Sequence, residues 1–311
     1  MSLPPVLPSV PPPALPARPR LLPGVGVYRR DDRHLQVGLA APQRVVLEDH
    51  PEVRTLLRSL EAPGPGAAPP PCPRRASALA LLAAAGLLVD ADELATGLRE
   101  AREGGGPDAA GVAASFCEAP VDAPRRLRER ARARVQVLGE PGTCAEVVAV
   151  LRESGVGVCS PGGGPPTLAL LVGAEPDREL VDDLVREQVA HLLVTAHLET
   201  YVVGPFVVPG RTACLRCLDA HAGDRDPRRA VVLAQHAQRS RAPAAAPEPS
   251  DPALRRLAGA WAVRDVVRHL DGQRPSTWSA TTALGPDLVP VRSALLRHPH
   301  CGCAWDELSS A

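Results

Sequence analysis

Between residues 25 and 39 apolar side chains alternate with polar or small ones, Val25, Val27, Leu35, Val37 and Leu39, around the turn-forming Arg30-Asp31-Asp32-Arg33. A period of two predicts a β-hairpin. Ala40 to Gln43, containing Pro42, turns the chain into a short strand from Arg44 to Glu48, so three antiparallel strands are expected. The period then changes. Val53, Leu56, Leu57 and Leu60 recur at i, i+3, i+4 and i+7, Pro51 stands in the first turn, and Asp49 with Glu52 has the spacing of a capping box. That predicts a helix. After a loop of Pro, Gly and Ala over 62–73, Leu79, Leu82, Ala83 and Gly86 mark one face of a second helix, and Leu87 to Val89 form a wing strand. The pattern describes a small winged-helix-like domain over 23–95, after a disordered proline-rich leader at 1–22 and before a linker at 96–133.

From residue 134 onward short apolar strands alternate with amphipathic helices. Val135, Val137 and Leu138 open a strand, Ala145 to Glu153 is helical, Val156 to Cys159 and Leu168 to Val172 are strands, and Glu179 to Ala190 is a helix. This β-α-β order predicts a parallel sheet wrapped by helices. Leu192 to Glu199 and Tyr201 to Val208 read as late strands, and Ala222 to Pro249 as a mobile loop with little apolar anchorage. Asp251 and Pro252 start a long helix closed by Gly272, and closing strands lead to the tail His298-Pro299-His300-Cys301-Gly302-Cys303.

Composition narrows the chemistry. The 311 residues contain no lysine, asparagine or isoleucine, so all 35 cationic side chains are arginine, as in a chain encoded by a very GC-rich genome. Phosphate-loop enzymes and pyridoxal enzymes need a lysine and are excluded, as are protein kinases. Cys-His-Asn proteases lack their amide. Acidic residues also number 35, so no basic field draws in nucleic acid. Six arginines between Arg125 and Arg134 read as a solvated helical face. Eight prolines within the first twenty residues exclude the apolar helix of a signal peptide, and the longest apolar run, Ala78 to Val89, is too short to span a bilayer. A cytosolic protein with no membrane partner is expected.

In a reducing compartment eight cysteines read as metal ligands or core residues rather than disulfides. Cys214-Leu215-Arg216-Cys217 and Cys301-Gly302-Cys303 supply four thiols, and paired half-sites point to a structural zinc ion held tetrahedrally. His298 or His300 can stand in for one thiol. Arg211 and Arg216 are expected to offset the negative charge of the centre. A redox role for C-x-x-C needs a helix N-terminus, which is not expected here. Cys72, Cys117, Cys144 and Cys159 are scattered and read as core or loop thiols.

The turn Gly139-Glu140-Pro141-Gly142 sits where a dinucleotide-binding fold cradles phosphate, but Pro141 removes a donor, Glu140 adds negative charge and G-x-G-x-x-G is not met. ATP is therefore not expected. His191 and His197 bracket a strand and read as structural.

The segment Val203-Gly204-Pro205-Phe206-Val207-Val208-Pro209-Gly210-Arg211-Thr212-Ala213-Cys214-Leu215-Arg216-Cys217-Leu218-Asp219, with the tail His298 to Cys303, resembles the ThiF-like, cyclodehydratase-associated proteins of thiazole/oxazole-modified peptide clusters. The resemblance covers 134–311. It implies an α/β, ThiF-like Rossmann-type domain with zinc on Cys214, Cys217, Cys301 and Cys303, preceded by a winged-helix-like peptide-recognition element.

It further implies a cytoplasmic, non-catalytic partner that binds the leader of a ribosomally made precursor peptide and presents it to a YcaO-type cyclodehydratase for azoline formation. A homodimer stays open. The leader is expected to dock as an added strand between Arg44 to Glu48 and the helix beginning near Ala76. Candidate contacts are Arg44, Val45, Val46, Leu47, Glu48, Leu79 and Leu82. Alternation leaves open whether Val46, or Val45 and Leu47, faces the peptide. Two alternatives remain, a ThiF-like adenylyltransferase acting on a peptide carboxylate and a winged-helix DNA-binding regulator.

Overall fold

A short strand, β1 (Pro19–Leu21), comes first, inside the segment expected to be a disordered leader. Leu21 and Leu22 are buried, and burial anchors the strand where composition alone suggested disorder. The computed structural model describes residues 15–61, 72–104, 106–160, 162–241 and 249–304. Most of the proline-rich leader and most of the loop at 62–73 lie outside them. The chain divides into two compact units, Met1–Leu127 and Arg128–Ala311.

In the first unit β2 (Val27–Arg29), β3 (His34–Val37) and β4 (Val45–Glu48) form an antiparallel sheet in that order, with β4 at the edge. Leu35, Val37 and Leu47 are buried in the core, while Tyr28, Gln36 and Val46 stand in register on the other face. Helix α1 (Pro51–Glu61) buries Val53, Leu56, Leu57 and Leu60, the face its periodicity marks. Its capping box does not form, because both carboxylate oxygens of Asp49 bond the Arg54 guanidinium. Helix α2 (Pro73–Ala84) buries Ala78, Leu82 and Ala83. The wing strand, β5 (Leu88–Asp90), pairs with β1 rather than with the three-stranded sheet.

The stretch expected as a linker at 96–133 carries three helices among its described residues: α3 (Ala91–Glu103), α4 (Ala109–Glu118) and α5 (Ala123–Arg132). Leu94, Val112, Phe116 and Ala123 join the same core as α1 and α2. The arginine-rich α5 is not simply a solvated face, since Arg130 is buried against Asp271.

The second unit is built on a six-stranded sheet, and its order places the chemistry. The elements are β6 (Val135–Gly139), α6 (Pro141–Glu153), β7 (Leu168–Gly173), α7 (Arg178–Arg186), β8 (Ala190–His197) and β9 (Thr200–Val207). Then come α8 (Leu215–Arg225), α9 (Arg229–Arg241), α10 (Pro252–Leu270), β10 (Ala280–Leu284) and β11 (Val291–Ala294). The sheet runs β11-β10-β9-β8-β7-β6, parallel from β6 to β8 and antiparallel from there, so the all-parallel expectation holds for only half of it.

Side chains alternate along β7. Leu168, Leu170 and Val172 pack toward α6 and α10, while Ala169 and Leu171 pack toward α7 and Leu215 of α8. Helices thus cover both faces. Val156 to Cys159 is not a strand; Val158 makes a single bridge to Val135. Gly157 runs so close to residues 131–133 that a Cβ there would lie 2.2 Å from the Ala133 carbonyl oxygen. Of the mobile loop expected over Ala222 to Pro249, the part through Arg241 is mostly helical, as the end of α8 and α9, and 242–248 lie outside the described residues.

Candidate metal centre and the cavity beside it

Cys214 is the N-cap residue of α8, and Cys217 follows within its first turn. The C-x-x-C therefore does sit at a helix N-terminus, where the helix dipole favours thiolate. The tail brings Cys301 and Cys303 to the same point. Sγ of Cys214 lies 3.8 Å from that of Cys217 and 3.6 Å from that of Cys301, and Cys217 lies 3.4 Å from Cys303. All four sulfurs fall within 4.8 Å of one another. Zinc–sulfur bonds of about 2.3 Å in a tetrahedron need sulfurs about 3.8 Å apart, so the set fits zinc.

Three of the thiols are buried together with Val207, Ala213 and Leu295. The Cys217 thiol is pushed down to about 4 by the hydrogen bond from the Cys214 thiol, and the His298 amide adds to the effect. Cys214 is pushed up by the same pairing, and Cys303 to about 11 by burial. The pairing thus favours the ionised form at Cys217 over that at Cys214.

The histidines do not substitute for a thiol. His298 directs Nε2 to the Asp224 carboxylate at 3.0 Å, and its Nδ1 accepts the His300 amide at 3.2 Å. Nor are the two expected arginines free: Arg216 binds Asp182 through two nitrogens, and Arg211 stacks over Trp278 at 5.6 Å. His191 is fully buried, with Nδ1 held by the Val189 carbonyl, and burial lowers its pKa.

The phosphate-loop position is occupied from within. The Glu140 carboxylate accepts from the amides of Gly142 at 2.9 Å and Thr143 at 2.7 Å, and these bonds hold its pKa below the ordinary value. An anion already caps α6. Gly139 has φ +147°, and a Cβ there would lie 1.8 Å from the Val172 carbonyl oxygen.

Beyond the carboxyl ends of β7 and β8, where open α/β sheets place their ligands, lies a cavity of about 400 Å³. Glu175, Thr195, His197 and Thr281 line it, with Arg178 and Asp219. Arg178 bridges Glu175 at 2.6 Å and Asp219 at 2.8 Å. Asp219 belongs to α8, so one helix serves both the sulfur centre and the cavity wall. No sequence motif marks Glu175 or Arg178, because β7, β8 and α8 converge there only in three dimensions.

In the first unit, β4 is one edge of the three-stranded sheet. Leu47 points into the core and Val46, 40% exposed, points away from it. Leu82 lies wholly inside the core, and Leu79 is partly buried against it. The Asp49 amide bonds Arg33, so the ladder toward β3 uses Leu47 and Val45. The backbone groups of Val46 and Glu48 accordingly face outward.

No protein-family model and no curated protein matches the sequence. Solved structures do match in fold. The heterocyclase TruD matches with TM-score 0.61 at 18% identity, over 92% of this chain and 42% of that one. E. coli MccB matches with TM-score 0.60 at 13% identity, over 92% of this chain and 96% of that one. The microcin C7 biosynthetic enzyme MccB in complex with N-formylated MccA matches with TM-score 0.59. This chain spans about 42% of the length of the heterocyclase it matches. These comparisons overturn the expectation of a non-catalytic protein, since the structures that share its fold are enzymes.

Proposed function

We propose that the chain is a working part of an enzyme that modifies a ribosomally made peptide, with heterocyclisation the reaction it serves. The first unit takes the leader of the precursor, and the α/β unit acts with a YcaO-type cyclodehydratase on the core peptide. In that reaction a Cys, Ser or Thr side chain attacks the preceding amide carbonyl, and the ring closes with loss of one water.

The open edge of β4 carries the reading. It leaves the Val46 and Glu48 backbone groups free to pair with an extended peptide, with the exposed Val46 side chain beside the added strand. The match to a heterocyclase over 92% of the chain supports it. Zinc at the four cysteines would tie the tail to α8.

A second reading, adenylation of a peptide carboxylate, is favoured by the match to MccB over nearly its full length. The Glu140 carboxylate at the start of α6 weighs against it. Mixing the chain with a precursor peptide, a YcaO-type partner and ATP separates the two. Azoline formation that needs this chain supports heterocyclisation; pyrophosphate exchange by the chain alone, lost with Gly139→Ala, supports adenylation.

A further inference from the structure

Helix α8 carries Cys217, His221 and Asp224 at i, i+4 and i+7, which places all three on one face. That face meets the tail that carries His298, His300, Cys301 and Cys303. Cys217 serves the sulfur centre. His221, Asp224 and His298 form a second group one turn further along, with one ligand atom from each within 4.8 Å of the others.

The group has the donors of a transition-metal site. His221 Nε2 lies 3.0 Å from the Leu296 carbonyl oxygen, to which only an N–H can bond, so the proton sits on Nε2 and the lone pair on Nδ1. Metal-binding histidines are commonly oriented this way, the second nitrogen donating to a backbone carbonyl. His298 is buried, with its side chain 6% exposed, and cannot move far. Asp224 is 66% exposed and opens the group to solvent. The His221 and His298 rings meet edge to face with centroids 4.7 Å apart, and His300 stands 5.4 Å beyond. The nearby imidazoles hold the Asp224 pKa down, the His298 hydrogen bond first among them.

We propose that His221, Asp224 and His298 bind a second divalent transition metal, of the zinc or cobalt type, distinct from the one the four cysteines fit. Two imidazoles and one carboxylate, with water completing the shell, suit these borderline ions. Ligand atoms on such an ion sit about 3.0–3.4 Å apart, so the exposed Asp224 and the His221 ring close in by roughly 1 Å. The metal replaces the proton that His298 Nε2 shares with Asp224. His298 then carries its proton on Nδ1 and gives up the long contact from the His300 amide. The ion joins α8 to the tail at a second point.

The test uses the full chain with its cysteine centre loaded with zinc, titrated with cobalt alone. The expected result is one further equivalent of cobalt whose spectrum lacks sulfur-to-metal charge transfer, together with a rise in melting temperature. Asp224→Asn and His221→Ala should each weaken that cobalt more than about tenfold while retaining the zinc, which reports an intact fold. The proposal is overturned if no second equivalent binds. It is equally overturned if the cobalt shows charge transfer, which places it at the cysteines, or if both variants bind it as the wild type does.

Discussion

Arg130 and Asp271 form a buried, two-pronged ion pair, Nε to Oδ1 at 2.7 Å and a terminal nitrogen to Oδ2 at 2.6 Å. Asp271 is the C-cap residue of α10, so the pair lies within the second unit and fastens Arg130 to the end of its longest helix. Both side chains are out of water, which makes an intact pair modest in net value and a broken one costly. Asp271→Asn should lower stability by about 3–5 kcal/mol, while the double change Arg130→Met with Asp271→Leu should cost much less. Urea midpoints decide, and equal losses in the single and double variants refute the account.

The sulfur centre predicts that purified protein holds about one zinc per chain at the four thiols. Cys214→Ser and Cys301→Ser should each release the metal to a chelator far faster and lower the melting temperature, because binding energy here is folding energy. Full retention of zinc in either variant would place the metal elsewhere.

A pH dependence follows from Asp122. Hydrogen bonds from Arg125 and then Arg126 hold its carboxyl at about 2, below the ordinary 3.8. A folded-state value below the unfolded one means that the contribution is whole above about pH 4 and fades as pH falls through about 2. Asp122→Asn should therefore flatten the acid limb of the stability profile and leave the neutral plateau lower. An unchanged acid limb contradicts the prediction.

At the sheet edge, Val46→Pro removes an N–H that faces away from β3, so the three-stranded sheet keeps its ladder. Melting temperature should barely change. Affinity for a leader peptide, read by fluorescence anisotropy, should fall about tenfold or more with the loss of a ladder bond and the clash of the ring. Unaltered affinity would show that the leader docks away from β4.

How legible the molecule was in its sequence varied with the range of the interaction. The burial of Val53, Leu56, Leu57 and Leu60 followed from their spacing, and the hairpin of β2 and β3 from alternation around a turn. By contrast Asp49 had the spacing of a cap and serves Arg54 instead, because a guanidinium outcompetes a backbone amide for a carboxylate. The arginine run looked solvated because the acid that takes Arg130 lies far along the chain, at Asp271. The stretch after Ala222 looked mobile because it has little apolar anchorage, and Val231 and Val232 of α9 do stay exposed. Reading it as coil also hid the i, i+4, i+7 face of Cys217, His221 and Asp224.

By itself the sequence determined local elements such as α1 and the β2–β3 hairpin, the four cysteines whose sulfurs come together, and the poor phosphate loop, because each rests on residues close together or on side-chain chemistry that no fold can alter. Only the tertiary structure decided that β9 turns the sheet antiparallel, that Glu140 caps its own helix, and that Val46 faces out while Leu47 faces in. It alone brought Glu175, Arg178 and Asp219 to one cavity and His298 to Asp224. Those relationships depend on which strand lies beside which and on where a helix stops, and such outcomes are settled by burial of whole faces rather than by any local pattern.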